Sequence, residues 1–155
     1  MEVIIADSPA EVAKLGADYI DRLLHSNPAA VLGLATGSTP ITLYQQLIER
    51  YRRQQISFAE VRSFNLDEYI GLAPEHPQSY RSFMNRQLFD HIDIDPVNTH
   101  IPDGLSDPQR AAVAYEQLIV ESGGIDLQVL GLGRNGHIGF NEPSSSLTSR
   151  TRAKV

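Results

Sequence analysis

Three short segments hold the residues that could do chemistry. In Phe64-Asn65-Leu66-Asp67-Glu68-Tyr69 two carboxylates are adjacent, and such a pair can supply a general base and a supporting charge. Asp67 comes first and is the stronger candidate, although an aspartate entering a loop also serves simple hydrogen bonding. His137 lies in Gly131-Leu132-Gly133-Arg134-Asn135-Gly136-His137-Ile138-Gly139-Phe140-Asn141-Glu142-Pro143. An imidazole exchanges protons near neutral pH, and Asn135 and Glu142 are near enough in sequence to orient or polarise it. In Thr36-Gly37-Ser38-Thr39-Pro40, glycine allows close approach of the backbone. Hydroxyls and free amides ahead of a helix favour an anion, typically phosphate; a plain N-cap and turn fits the same residues.

Other chemistries fit less well. Gly131, Gly133 and Gly136 match G-x-G-x-x-G, but the dinucleotide fingerprint must open a helix and be followed about twenty residues on by an acid. Pro143 and the surrounding glycines deny that helix, and the residues downstream are Ser, Thr and Arg. The Thr36 segment lacks the spacing and the lysine of a P-loop, and no H-E-x-x-H occurs. With no cysteine, disulfides and thiolate metal sites are excluded. His25, His76, His91 and His100 have no comparable setting, and no metal site is expected.

Positioning such segments requires strands that end where they begin. The apolar run Ala30–Ala35 reads as a strand buried on both faces, Val61–Leu66 as another, and Ile125–Leu132 as a third. Glu2–Ala6 reads as a short first strand, a further one is expected near His100, and Ser149–Val155 as the start of one more. Helices alternate with them. Ser8-Pro9 opens one with Val12, Leu15, Tyr19, Ile20, Leu23 and Leu24 on its buried face. Thr39 caps the next, with Pro40 at its first position and Ile41, Tyr44, Leu47, Ile48 and Tyr51 inward. Tyr80, Phe83, Met84, Leu88 and His91 line a third. Asp107-Pro108 starts a fourth that runs to Glu121, ended by Gly123-Gly124. The alternation predicts an α/β fold: an open, mostly parallel sheet with helices on both faces, three-layered and Rossmann-like. All three chemical segments follow strands, and ligands gather beyond the carboxyl ends of parallel strands.

Composition sets the boundaries. The 155 residues suffice for a single domain over 1–155. Hydrophobic residues at 41% and charged residues at 21% are ordinary for a globular protein. A net charge of -6 argues against broad nucleic-acid binding while leaving room for a small basic pocket. No apolar run is long enough to span a membrane, and the first residues are no signal peptide. The expected setting is the cytoplasm.

LATGSTP, FNLDEYIGL, EHPQSYRSFM and GLGRNGHIGFNEPSSSLTSRTR resemble, in order and across nearly the whole chain, the glucosamine-6-phosphate deaminase family. The resemblance implies conversion of glucosamine 6-phosphate and water to fructose 6-phosphate and ammonium, with no redox cofactor and no catalytic metal. It implies Asp67 as the proton shuttle of enolisation, His137 as the ring-opening residue, Glu142 as its support, and Thr36, Gly37, Ser38 and Thr39 as the phosphate loop. Asn135 stands where many members carry aspartate, so there it can orient by hydrogen bonding but cannot take a proton. In hexameric regulated members a second phosphosugar site falls on Ser145, Arg152 and Lys154; a basic surface stretch accounts for those residues equally. A homo-oligomer is compatible with a full-length form. Members are longer, so the chain is expected to lack a C-terminal part, and alone to be marginally stable or associated and nearly inactive. The rivals are a 6-phosphogluconolactonase-like enzyme, a galactosamine-6-phosphate enzyme and a non-catalytic phosphosugar-binding module.

Overall fold

The computed structural model describes residues 2–146 and 148–154. Ser8 opens helix α1 (Pro9–Ser26): its Oγ accepts the Glu11 amide at 3.2 Å, and the Glu11 carboxylate accepts the Asp7 amide at 2.9 Å. This reciprocal capping satisfies amides that the first turn cannot. Strand β1 (Val31–Leu34) is buried throughout. Helix α2 (Ile41–Arg52), β2 (Arg62–Asn65), α3 (Tyr80–Gln87), β3 (Thr99–His100), α4 (Pro108–Glu121) and β4 (Leu127–Gln128) follow. Short 3-10 turns at Phe89–His91 and Pro96–Asn98 join α3 to β3.

The four strands are parallel and ordered β3-β2-β1-β4. Leu32 and Leu34 of β1 pack with Ala13, Ala17 and Ile20 of α1 and Tyr44 and Leu47 of α2. Val31 and Phe64 face the other way, onto Tyr115 and Ile119 of α4. Helices therefore cover both faces of the sheet, as the alternation predicts. The chain order reverses between β1 and β4, so the loops leaving those two strands diverge and leave a crevice at their carboxyl ends.

Several local expectations are corrected. Residues 2–6 form no strand; Val3 and Ile5 are 73% and 93% exposed, and an extended segment without a ladder partner gains nothing from its β propensity. The buried face of α1 is Ala13, Ala17, Ile20 and Leu24, with Val12 and Tyr19 turned outward. Small alanines let α1 approach α2 closely, and a count of large apolar residues misses them. Helix α2 starts at Ile41 with Pro40 in the capping position and no side-chain cap, so Thr39 does not cap it. Leu43 joins the buried face and Ile41 and Tyr51 lie at its margin. His91 is exposed and outside the α3 core. The Ile125–Leu132 strand contracts to Leu127–Gln128, and Leu130 and Leu132 are exposed. Only β1 flanks it among the described residues. No strand forms over 149–154, and Val155 lies outside the described residues.

Candidate active site

The ends of the strands are held by side chains from both layers. Tyr44 of α2 donates its hydroxyl to the Ala35 carbonyl and accepts the Ala35 amide at 3.2 Å, fixing the exit of β1. Tyr115 of α4 donates to the carbonyls of Asn65 (2.7 Å) and His100 (3.2 Å), tying together the exits of β2 and β3. Arg81 donates to the hydroxyl and carbonyl of Thr99 at 2.6 and 2.7 Å. The loops beyond these points start from a rigid edge, and that precision is what a reacting site needs.

Those loops enclose a cleft of about 340 Å³ whose lining includes Thr36, Gly37, Ser38, Thr39, Asp67, Tyr80, Gly133, His137 and Phe140. The structure thus brings the three segments together. In the first loop Gly37 has φ +112°, a conformation that suits glycine. Among the described residues, the backbone amides of Thr36, Gly37, Ser38 and Thr39 donate to no protein acceptor. Gly37, Ser38 and Thr39 are exposed at the N-terminus of α2, the arrangement that attracts an anion.

Asp67 is half-buried just past β2. Burial, then the charge of Glu68, raises its pKa from 3.8 to about 6, opposed by a hydrogen bond with the Thr36 side chain. Such a carboxylate is ionised at neutral pH yet retains appreciable proton affinity, as a general base requires. Glu68 is engaged elsewhere: its carboxylate accepts the amides of Tyr69 and Tyr80 at 2.8 and 2.9 Å and of Arg81 at 3.0 Å.

The His137 imidazole rests against Gly133, where an added β-carbon would overlap the ring. Its Nδ1 lies 2.6 Å from Asn135 Oδ1, which also accepts the His137 amide at 3.2 Å. Asn135 Nδ2 in turn donates to Glu142 at 2.8 Å. With its amide nitrogen committed to a carboxylate, Asn135 presents only a carbonyl oxygen to the ring. Nδ1 is therefore the ring nitrogen that donates to Asn135, and Nε2 has no partner among the described residues. Glu142 reaches His137 through Asn135. Beyond His137 the chain reverses, with Ile138 and Asn141 exchanging backbone bonds at 3.0 Å. Gly139 at this turn has φ +57° and a β-carbon there would stand 3.2 Å from Asp67 Oδ2.

Sequence reasoning missed the aromatic contact that joins these loops. Tyr80 belongs at the cleft rather than in the helical core, and its hydroxyl donates to that of Tyr69 at 3.3 Å. Phe140 packs on both rings, with centroids 5.3 and 5.9 Å away. The aromatics within FNLDEY, SYRSF and GHIGF were the available signal.

A second cleft of about 450 Å³ lies beside the first, sharing Leu66, Asp67 and Phe140, and is lined also by Arg150, Arg152 and Lys154. Lys154 Nζ is 3.5 Å from Ser145 Oγ, and Arg152 donates to Asn141 at 3.0 Å. Glu116 of α4 anchors this stretch, accepting the amide and hydroxyl of Thr151, each at 2.8 Å, and pairing with Arg150 at 2.8 Å. No helix of the described residues is long and apolar enough to cross a membrane.

Residues 6–151 match the family described as glucosamine-6-phosphate isomerases/6-phosphogluconolactonase, and the chain belongs to it. A glucosamine-6-phosphate deaminase of Hahella chejuensis is 69% identical over the whole chain, and one of Shewanella woodyi is 62% identical. The chain spans 59% of the length of each. Among solved structures, a monomeric glucosamine-6-phosphate deaminase superposes with a TM-score of 0.93 at 43% identity, covering 97% of this chain and 63% of that one. A 6-phosphogluconolactonase from Thermotoga maritima, 24% identical with a TM-score of 0.73, covers 89% of this chain and 62% of its own and shares the fold.

Proposed function

We propose that this member of the family carries the reacting site of a glucosamine-6-phosphate deaminase. One observation carries the reading: a half-buried carboxylate, Asp67, with its pKa at about 6, shares a cleft with an imidazole whose Nδ1 is held by Asn135 and whose Nε2 has no partner among the described residues. The amides of Thr36–Thr39 receive the phosphate at the far end of the substrate, and binding there orients the reacting carbons.

The pyranose opens first. His137 Nε2 takes the proton of the anomeric hydroxyl and returns it to the ring oxygen, giving the free aldehyde. The aldehyde acidifies the C2 proton, so no cofactor is required for its removal. Asp67 removes that proton and delivers it to C1, while a proton passes from the C2 ammonium to the C1 oxygen, leaving an iminium at C2. Water adds at C2, the carbon–nitrogen bond breaks, and fructose 6-phosphate and ammonium leave. The reaction is thus a hydrolysis of a C–N bond, carried out on a free phosphosugar in the cytoplasm. Asn135 and Glu142 hold the imidazole in the required tautomer. A lactonase has no use for a base poised to move a proton between adjacent carbons.

The second cleft fits a further anionic sugar through Arg152, Lys154 and Ser145, with a regulatory role in an oligomeric form. The primary test is incubation of a form as long as its relatives with glucosamine 6-phosphate in deuterated water. Deuterium exchange at C2 and release of ammonium are the expected results. Hydrolysis of 6-phosphogluconolactone without ammonium, preferential turnover of galactosamine 6-phosphate, or phosphosugar binding with no exchange would each replace this reading.

A further inference from the structure

We propose that Glu68 is a positioning residue for Asp67: its carboxylate fastens the loop that carries the base to the first turn of α3 and keeps a fixed negative charge beside it. The proposal rests on Asp67 being the base. The geometry is unusual for neighbouring acids. Asp67 turns into the cleft, whereas Glu68 turns to α3 and collects three backbone amides, those of Tyr69, Tyr80 and Arg81. Two of these are the first two amides of α3, which lack partners within the helix. Ser79 serves the next, its Oγ accepting the Ser82 amide at 3.0 Å while donating to the Pro74 carbonyl at 2.7 Å.

The three amide bonds hold both carboxylate oxygens of Glu68 at the start of α3. A negative charge held in this way cannot swing off to solvent. It stands beside Asp67 and adds to the effect of burial on Asp67's proton affinity. The same bonds place Tyr80, the first residue of α3, at the cleft that His137 also lines.

Other charged and titratable groups face Asp67 without duplicating this role. Tyr80 of α3 and Tyr115 of α4 are held neutral by burial-raised pKa values. His137, in the loop after β4, lines the same cleft as Asp67. Along the second cleft stand the cations Arg150, Arg152 and Lys154 and the acids Asp103 and Glu116. Glu116 is already neutralised by Arg150. The rise at Asp67 comes first from burial and then from the Glu68 charge.

The test follows the Asp67 carboxyl carbon by NMR through a pH titration of this chain, with no substrate present. Ammonium release is measured separately, so a failed deaminase reading is told apart from a failed role for Glu68. In Glu68→Gln the charge is lost in an isosteric side chain, and the Asp67 midpoint should fall from about 6 toward its ordinary value of 3.8. Ser79→Ala loosens the same helix end without removing a charge; it should lower the denaturation midpoint and leave the titration in place. Glu68→Asp keeps the charge on a shorter arm, so the titration should stay raised while the Tyr80 and Arg81 amides exchange faster. An unmoved midpoint in Glu68→Gln would overturn the proposal. So would a shift in Ser79→Ala as large as in Glu68→Gln, or a midpoint at the ordinary value in Glu68→Asp.

Discussion

The imidazole of His137 occupies the space that a β-carbon on Gly133 would fill. Gly133 does not have the positive φ that disfavours an L side chain. Gly133→Ala should therefore leave the backbone unstrained and act by pushing the ring off Asn135. In a form as long as its relatives we expect kcat to fall on the order of 100-fold, the scale of a misplacement of about 1 Å, with KM and thermal midpoint nearly unchanged. Steady-state kinetics beside a melting curve checks this; unchanged kcat would show that the ring has room to move harmlessly.

On the proposed reading Asn135, by holding Nδ1 of His137, leaves Nε2 as the base. In Asn135→Ala the acceptor at 2.6 Å from Nδ1 is gone, and the proton is free to move to Nε2. The 15N resonances of His137 should show mainly the Nδ1–H tautomer in the parent chain and a mixture in the variant. Loss of correctly placed acid–base catalysis is worth roughly 10²–10⁴ in rate, and only the fraction in the wrong tautomer is lost, so turnover should drop toward the lower end. A parent imidazole protonated mainly at Nε2 would contradict the assignment.

Asp67 should cost the fold stability at neutral pH. Its folded pKa, about 6, is above the ordinary 3.8, so the folded chain binds the extra proton in between. The favourable contribution is complete below about pH 4 and is lost as pH rises through 6. The gap of roughly two units corresponds to about 3 kcal/mol at most. Asp67→Asn should therefore stabilise the chain at pH 8 by about 1–3 kcal/mol, with no gain at pH 3.5, while C2 exchange disappears. Urea denaturation at the two pH values reads the first effect. A variant no more stable at pH 8 than the parent would remove the buried-base picture.

Much of this arrangement is legible in the sequence because local chemistry and tertiary role coincide. Ser8-Pro9 and Asp107-Pro108 start helices α1 and α4 as their capping chemistry requires. The unbroken apolar Ala30–Ala35 run is β1 and its flanks, buried on both faces. The three polar segments meet in one cleft because parallel strands all end on the same side. What the sequence conceals depends on partners distant along the chain. Glu68 looks like a second catalytic acid until α3 arrives to take its oxygens, and Tyr80 looks like a core residue until Phe140 packs on it. Apolar residues at Glu2–Ala6 and Leu130–Leu132 carry strand propensity, but a strand is defined by its neighbour, and none pairs with them among the described residues.

Glu116 provides the last test, at the second cleft. Bonding from the Thr151 amide, with its hydroxyl and Arg150, lowers the Glu116 pKa below its ordinary 4.5. For a depressed acid the stabilisation is present above the ordinary value and lost as pH falls through the folded one. The attachment of residues 150–151 to α4 should thus be complete at neutral pH and fail in acid below about 4.5. Glu116→Ala removes the anchor at every pH, deleting three contacts from one carboxylate, for which a loss of about 1–3 kcal/mol in local opening is expected. Trypsin should then cut after Arg150 and Arg152 several-fold faster, and the Thr151 amide should exchange faster by a similar factor. The cleft of Asp67 and His137 should be affected less, since His137 is held by Asn135 and the strand exits by Tyr44 and Tyr115 rather than by Glu116. Binding of an anionic sugar to the Arg152–Lys154 cleft should weaken in the same variant, because its cations lose their fixed position. Unchanged trypsin cleavage and unchanged Thr151 exchange in Glu116→Ala would show that the segment is held by something other than this carboxylate.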